Sequence, residues 1–200
     1  MTLPAAGTKF GAFALSAVVI AFLAASAPAR AADGPKLEGH MEIFQLAPGT
    51  RPRPEVTWKD GNGKTVSLKD FGGKVVLVNF WATWCAPCVH ELPSIDRLAA
   101  RLDGEEFEVV AINIDRGGKP VARRMLRRLK LKNLDLYLDR ENSAVRGLGV
   151  RQMPTTYVFD RKGREVGKLE GAAEWDEPEA VALVKYFIDN RDHGGNPPGG

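Results

Sequence analysis

Residues 79–88 read NFWATWCAPC, and this stretch contains both cysteines of the 200-residue chain, Cys85 and Cys88. A run of apolar and β-branched residues at 75–80 leads into it and predicts a strand that is covered by helices on both faces. Residues 87–102 follow with apolar side chains at helical spacing, which predicts a helix. We therefore expect the two cysteines at a junction between a buried strand and a helix.

Outward from this junction, strands and helices alternate along the chain. The glycine-rich turn at 60–63 (DGNG) is flanked by two short strand-like runs and predicts an N-terminal β-hairpin. We predict further strands at 107–114, 134–138, 155–160 and 165–170, and helices at 119–130, 142–148 and from an N-cap at Asp176 onward. This order predicts an α/β fold with a parallel sheet and right-handed crossovers.

The N-terminus has the pattern of an export signal. Lys9 precedes an uncharged apolar run at 10–27, and Ala29 and Ala31 form an A-x-A cleavage site. Cleavage after Ala31 is favoured, although the run is almost long enough to remain as a membrane anchor. We therefore assign residues 1–31 to a signal peptide or anchor, and expect the folded part in the periplasm, either free or held at the inner membrane.

The rest of the chain divides into three parts. Residues 32–54 are rich in glycine, proline and charge, and we expect a flexible linker there. Residues 55–190 form the folded domain, and residues 191–200, mostly glycine, proline and polar side chains, are expected to be disordered. The net charge of +3 is too small an excess to indicate nucleic-acid binding. We expect a monomer that needs no cofactor or metal.

The spacing of the cysteines indicates reactivity more than a structural crosslink. A Cys-x-x-Cys disulfide closes a very short loop, so it contributes little to stability by restricting the unfolded chain. A helix N-terminus favours the thiolate of Cys85, and Cys88, one turn on, is near enough to displace a partner from it. The alternative is that the two cysteines form half of a zinc site. A structural zinc site normally has four ligands, and only three histidines are available to add to the two cysteines.

The sequence also resembles a known family over most of the domain. The resemblance is to the exported TlpA-like and ResA-like thiol-disulfide oxidoreductases, and it is carried by the stretch at 79–88 followed by ELP at 91–93, the hairpin DGNGKTVSL at 60–68 and the segment GAAEWD at 171–176. These proteins have the thioredoxin fold, so the resemblance implies a central mixed β-sheet flanked by α-helices, with an N-terminal β-hairpin. The resemblance implies that Cys85 is the nucleophile and Cys88 the resolving thiol of a redox disulfide. It also implies that Pro154 adopts the cis form beside the dithiol.

Further roles follow from the same resemblance. Thioredoxin has a buried aspartate where this chain has Asn79, whereas ResA-like proteins resemble this chain in having Asn there and Glu at the position of Glu91. We therefore expect Glu91 to accept the proton of the Cys88 thiol and to return it. The surface that recognises substrate is expected at the following residues: Trp84, Pro87, Met153 and Thr155.

The leading functional hypothesis is a reductase of particular protein disulfides. The resemblance implies a role in cytochrome c maturation or in the assembly of a cytochrome oxidase copper site. The substrate would be an apocytochrome c or a copper-site assembly protein, and a membrane thiol-electron transporter would recharge the dithiol. Two alternatives stay open: a disulfide oxidant of the same fold, and a copper-binding chaperone that uses Cys85 and Cys88 as soft ligands.

Overall fold

The computed structural model describes residues 1–2, 34–48 and 52–190, and contacts between residues divide the chain into two units, Met1–Ala32 and Asp33–Gly200. Apart from residues 1 and 2, the predicted signal or anchor lies outside the described residues, as does the predicted tail at 191–200. Within the described ranges, no helix is long and apolar enough to cross a membrane.

The described residues of the second unit form one eight-stranded mixed sheet with four α-helices. The strands are β1 (Gln45–Leu46), β2 (Thr57–Asp60), β3 (Thr65–Ser67), β4 (Val75–Trp81), β5 (Phe107–Asn113), β6 (Tyr137–Leu138), β7 (Thr155–Phe159) and β8 (Glu165–Glu170). The helices are α1 (Ala86–Arg101), α2 (Lys119–Arg128), α3 (Ser143–Leu148) and α4 (Pro178–Asp189). The sheet order is β1-β8-β7-β4-β5-β6-β2-β3. Strands β4, β5 and β6 are parallel, and the other neighbours are antiparallel.

Strand β4 lies inside the sheet, and all of its residues are buried. Because side chains alternate between the two faces of a strand, Val75 and Leu77 pack with α1 and α4, whereas Val76 and Val78 pack with α3 and the N-terminal hairpin. This two-sided burial explains the continuous apolar run in the sequence. The predicted α/β fold with a mixed central sheet, flanking helices and an N-terminal hairpin is confirmed.

The structure corrects the expectation of a flexible linker at 32–54. A 3-10 helix at Gly39–Ile43 and strand β1 occupy part of this segment, and β1 pairs with β8 at the edge of the sheet. Met41 and Phe44 are almost fully buried in the core that contains α4. Gly167 makes room for Phe44, because a Cβ atom there would lie 2.3 Å from the phenyl ring. Met41 and Phe44 therefore hold part of this segment against the core, although its composition predicted a flexible linker.

The start of α4 and the length of β6 also differ from the prediction. Helix α4 begins at Pro178, and its N-cap, Glu177, forms no side-chain capping bond. The carboxylate of Asp176 instead accepts hydrogen bonds from the Arg97 guanidinium at 2.5 and 3.0 Å, so it is not available for the predicted cap. Strand β6 contains only Tyr137–Leu138 of the predicted 134–138.

Candidate active site

The two cysteines lie where β4 passes into α1. Cys85 is the N-cap of α1, and its Sγ accepts a hydrogen bond from the backbone N–H of Cys88 at 3.3 Å. The two sulfurs form a disulfide with an S–S distance of 2.01 Å. Cys85 retains 6% of its exposure and Cys88 none, so a partner can reach only Cys85. The position at a helix start, with Cys88 behind it, is the one that the sequence predicts.

A buried aspartate fixes the loop in front of the cysteines. Asp115, just beyond β5, accepts hydrogen bonds from the N–H of Thr83 at 2.9 Å and from its hydroxyl at 3.1 Å. Its carboxylate also accepts a bond from the Asn113 side-chain amide at 2.7 Å. Sequence reasoning missed this group. The available sequence signal is that Asp115 directly follows the strand predicted at 107–114, because residues after neighbouring parallel strands lie at the same edge of the sheet, as Trp81 and Asn113 do here.

Glu91 is one turn beyond Cys88 on α1 and has no exposed surface. Its two carboxyl oxygens accept hydrogen bonds from the Asn79 side-chain amide at 2.7 Å and from the backbone N–H of Ala173 at 3.2 Å. Burial raises the pKa of Glu91 to about 8, although these two hydrogen bonds oppose the rise. The indole N–H of Trp175 also faces this carboxyl group but does not reach hydrogen-bond geometry.

Asn79, on β4, joins Glu91 to the neighbouring strand. Its amide nitrogen donates to Glu91 and also to the hydroxyl of Thr156 at 2.9 Å, while its own oxygen is buried without a partner. Asn79 therefore supplies a hydrogen-bond donor to the Glu91 carboxylate, whereas an aspartate at this position would place a second carboxylate there. Thr156 and Ala173 carry no local sequence signal, because each lies more than 60 residues from Asn79 or Glu91 along the chain.

The segment before β7 lies against the dithiol. The Met153–Pro154 peptide bond is cis, and the carbonyl of Pro154 accepts a hydrogen bond from Gly171 at 2.9 Å. Met153 is half-buried and packs on the apolar cluster that contains both Cys85 and Cys88. The structure therefore brings Met153, which precedes the cis bond, to the apolar cluster of the cysteines, although more than 60 residues separate them in sequence.

The predicted recognition residues differ in exposure. Trp84 is 68% exposed and Pro87 is exposed, so both are accessible beside the disulfide. Thr155 is fully buried, and its hydroxyl donates to the carbonyl of Gln152 at 2.8 Å. This corrects the expectation for Thr155: its side chain secures the loop before Pro154 and does not face a partner.

A groove of about 550 Å³ runs along the first turns of α1 beside the dithiol. Its apolar lining comes from Ala86, Val89, Pro93 and, at the end of α2, Leu129. In the part of the chain that the structure describes, no group of three or more His, Cys, Asp or Glu side chains is arranged to hold a metal ion.

Comparison with known proteins gives consistent results. The sequence profile of the AhpC/TSA family matches residues 50–164, more than half of the chain. Thiol-disulfide oxidoreductase ResA from Bacillus thuringiensis subsp. konkukian is 31% identical over 134 residues, which cover 67% of this chain and 73% of the relative. ResA from Bacillus subtilis is 30% identical over 118 residues, covering 59% of this chain and 65% of the relative.

A solved structure from Chlorobium tepidum, described as a thiol:disulfide interchange protein DsbE, aligns with a TM-score of 0.62 and 28% identity. The alignment covers 71% of this chain and 99% of that one. The chain therefore belongs to the AhpC/TSA family and is a thiol-disulfide oxidoreductase similar to ResA.

Proposed function

We propose that this protein is an exported reductase of particular protein disulfides, acting through a Cys85–Cys88 cycle. The observation that carries the proposal is the buried carboxyl group of Glu91, one turn behind the resolving cysteine, with its pKa raised to about 8. A group with a pKa near neutrality can both accept and return a proton at physiological pH. The direction of electron flow rests on the resemblance to ResA-like proteins.

The cycle begins with the thiolate of Cys85, which attacks one sulfur of the substrate disulfide. The other substrate sulfur leaves as a thiolate, and a mixed disulfide with Cys85 remains. Cys88 then loses its proton and attacks the sulfur of Cys85, which releases the second substrate sulfur. Two electrons have passed from the dithiol to the substrate, and the Cys85–Cys88 disulfide is the product form of the enzyme.

Glu91 acts at the second of these steps. As a carboxylate it accepts the proton of Cys88, and the raised pKa keeps that proton on Glu91 at neutral pH once the disulfide has formed. When a reductant reopens the disulfide, Glu91 returns the proton to the Cys88 thiolate. Asn79 and the N–H of Ala173 hold the carboxyl group in place through both states of charge.

The proton transfer is tested by the rate of disulfide reduction between pH 5 and 10. Glu91→Gln should slow the step in which Cys88 attacks, and should remove the inflection that Glu91 contributes to the pH profile. Glu174→Gln is a matched control, because Glu174 is a neighbouring carboxylate that only slightly affects the pKa of Glu91. An unchanged rate and pH profile in Glu91→Gln would show that Cys88 loses its proton by another route.

The identity of the substrate is tested by trapping. Cys88→Ser leaves Cys85 free to attack but removes the thiol that resolves the mixed disulfide, so the natural partner should remain covalently attached. Cys85→Ser is the control and should capture nothing. We expect the trapped partner to be an apocytochrome c or a copper-site assembly protein, and a membrane thiol-electron transporter to be the reductant. Capture of the same partners by Cys85→Ser would contradict the assigned order of attack.

The direction of the reaction is tested by the equilibrium reduction potential against glutathione. A reductase should have a potential near or below the roughly −270 mV of thioredoxin. A value near about −120 mV, which is typical of dedicated periplasmic oxidants, would instead indicate that the protein is a disulfide oxidant.

We place the protein in the periplasm because of the signal-like sequence at 1–31, and cell fractionation tests this location.

A further inference from the structure

The end of the sheet that carries the dithiol also carries exposed arginine side chains. Trp81 pairs with Asn113 and Asn113 with Leu138 across β4, β5 and β6, and Phe80 pairs with Thr155 at the start of β7. Four chain segments therefore meet at this end: 82–85, with Cys85, 114–118, 139–142 and 151–154. Neighbouring strands are about 4.8 Å apart, so each of these segments starts or ends within roughly 10 Å of the end of β4.

Three of these segments each present an exposed arginine, and we call these three residues the collar: Arg116, Arg140 and Arg151. Arg116 follows Asp115, which holds the loop before Cys85, and its carbonyl accepts a hydrogen bond from Arg140 at 3.1 Å. Arg151 precedes the Met153–Pro154 bond by two residues. Within 34–48 and 52–190, no acidic side chain forms an ion pair with any of the three.

The same segments also contain three acidic side chains, so their net charge is zero, but these acids differ from the collar in exposure. Asp115 and Asp139 are buried and their carboxylates accept hydrogen bonds from neighbouring loops and helices. Glu141 is the one exposed carboxylate in the four segments. The exposed charges of these segments are therefore three arginines and one carboxylate, and the arginines are available to pair with acidic side chains of a partner at close range.

Helix α2 extends this charge away from the dithiol. Residues 116–132 contain eight of the 28 lysines and arginines and none of the 25 acidic residues, which leaves a net charge of −5 on all other residues. The apolar side of α2 packs on the cluster with the cysteines, and its four arginines are exposed on the other side. A one-sign surface of this kind attracts oppositely charged partners and speeds their association.

We propose that the collar selects substrates whose disulfide is flanked by acidic side chains. This inference rests on the proposed function, since it names the class of substrate for the Cys85–Cys88 dithiol. A concave surface of about 730 Å³ is lined by Arg116 and Arg140 together with Asp139, Glu141 and the β2–β3 hairpin, and it offers room for a partner segment next to two of the collar arginines. A bilayer bound at this end would cover Cys85 and block exchange, so an acidic protein fits the position of the collar better than a lipid surface does.

The test compares three synthetic peptides that share one intramolecular disulfide and differ only in its flanking residues, which are Asp, Asn or Lys. For each peptide, the rate constant for reduction of its disulfide by the reduced full chain is divided by the rate constant for its reduction by dithiothreitol. This division corrects for the effect of the flanking charge on the reactivity of the disulfide itself. We expect the Asp peptide to react about tenfold faster than the Asn peptide at low ionic strength. The ratio should approach 1 in about 1 M salt, where the Debye length is about 3 Å.

Two triple variants with equal charge changes locate the effect. In Arg116→Gln/Arg140→Gln/Arg151→Gln the ratio of Asp to Asn rates should fall close to 1. In Lys36→Gln/Lys64→Gln/Lys162→Gln, which removes exposed lysines outside the collar, the ratio should stay as in the wild type. A similar loss in both variants would overturn the proposal, because net charge and not the collar would then set the rate.

Three other outcomes would also overturn the proposal. Equal, measurable rates with all three peptides would remove the selection but leave the reductase function intact. Absence of reduction of any peptide would contradict the reductase function itself. Equal peptide rates combined with collar-dependent binding to phosphatidylglycerol vesicles at 0.15 M salt would show that the collar binds lipid.

Discussion

A carboxyl group without exposed surface is difficult to ionise, because the protein interior solvates the negative charge less well than water does. Glu91 is in this situation, and only two hydrogen bonds stabilise its carboxylate. The same burial that makes Glu91 a suitable proton carrier therefore makes its ionisation costly for the folded state. This cost can be measured separately from any reaction.

The free energy of unfolding should decrease as the pH rises from about 4.5 to about 8. Glu91 has a folded-state pKa of about 8 and an ordinary value of 4.5, so the folded protein binds more protons than the unfolded chain within this interval. The full difference corresponds to at most about 5 kcal/mol. In Glu91→Gln this contribution should vanish, and urea unfolding should show the variant to be more stable than the wild type at pH 9 but not at pH 5.

Asp115 is expected to act on the dithiol through the position of the preceding loop. Asp115→Asn removes the charge from the bonds to Thr83 and should cost about 2 kcal/mol of stability and slow the reduction of a protein disulfide severalfold. Loss of the negative charge alone would favour the Cys85 thiolate and speed the reaction, so a slower rate reports a displaced loop. The observable quantities are urea unfolding and the rate of insulin reduction.

Asp139 provides the matched control for this prediction. It is equally buried at the end of the next parallel strand, and its carboxylate accepts three hydrogen bonds from Ser143 and Val145 at the start of α3. Asp139→Asn should lose similar stability without a comparable loss of rate. If both variants lose the same fraction of activity, Asp115 has no special relation to the dithiol.

At the scale of secondary-structure elements, a helix or strand is predicted well where its hydrophobic pattern is long and regular. β4, β5 and the first three α-helices were predicted to within a few residues, because long apolar runs and helical spacing are encoded locally. Residues 39–46 were missed, since their order depends on a distant strand and on the absence of a side chain at Gly167. The partners of Glu91 were missed for the same reason: the Ala173 amide is 82 residues away.

The segment that was expected to be a linker should contribute measurably to stability. Phe44→Ala removes a ring that is 3% exposed and leaves a cavity against α4 and β8, so we expect a loss of about 3 kcal/mol in urea unfolding. Ile43→Ala is the adjacent control, and because Ile43 is 54% exposed its loss should stay below about 0.5 kcal/mol. Equal small losses in both variants would indicate that the segment does not pack on the domain in solution.

At the scale of the whole molecule, the direction of electron flow and the stability of the fold are linked. If the Cys85–Cys88 pair has a lower reduction potential in the folded protein than in the unfolded chain, folding favours the disulfide over the dithiol. Each 30 mV of difference between the two potentials corresponds to about 1.4 kcal/mol. The short Cys-x-x-Cys ring itself restricts the unfolded chain very little. A difference in stability between the two redox forms therefore reports how well the site around Cys85 and Cys88 accommodates the disulfide and the dithiol.

A reductase should consequently be more stable in its oxidised form. We expect the oxidised protein to unfold at a higher urea concentration than the same protein in dithiothreitol, and the Cys85→Ser/Cys88→Ser variant to unfold at the same concentration with and without the reductant. A strong oxidant behaves in the opposite way, because its reduced form is the stabilised one. Greater stability of the reduced form would thus exclude the reductase direction without any knowledge of the natural substrate.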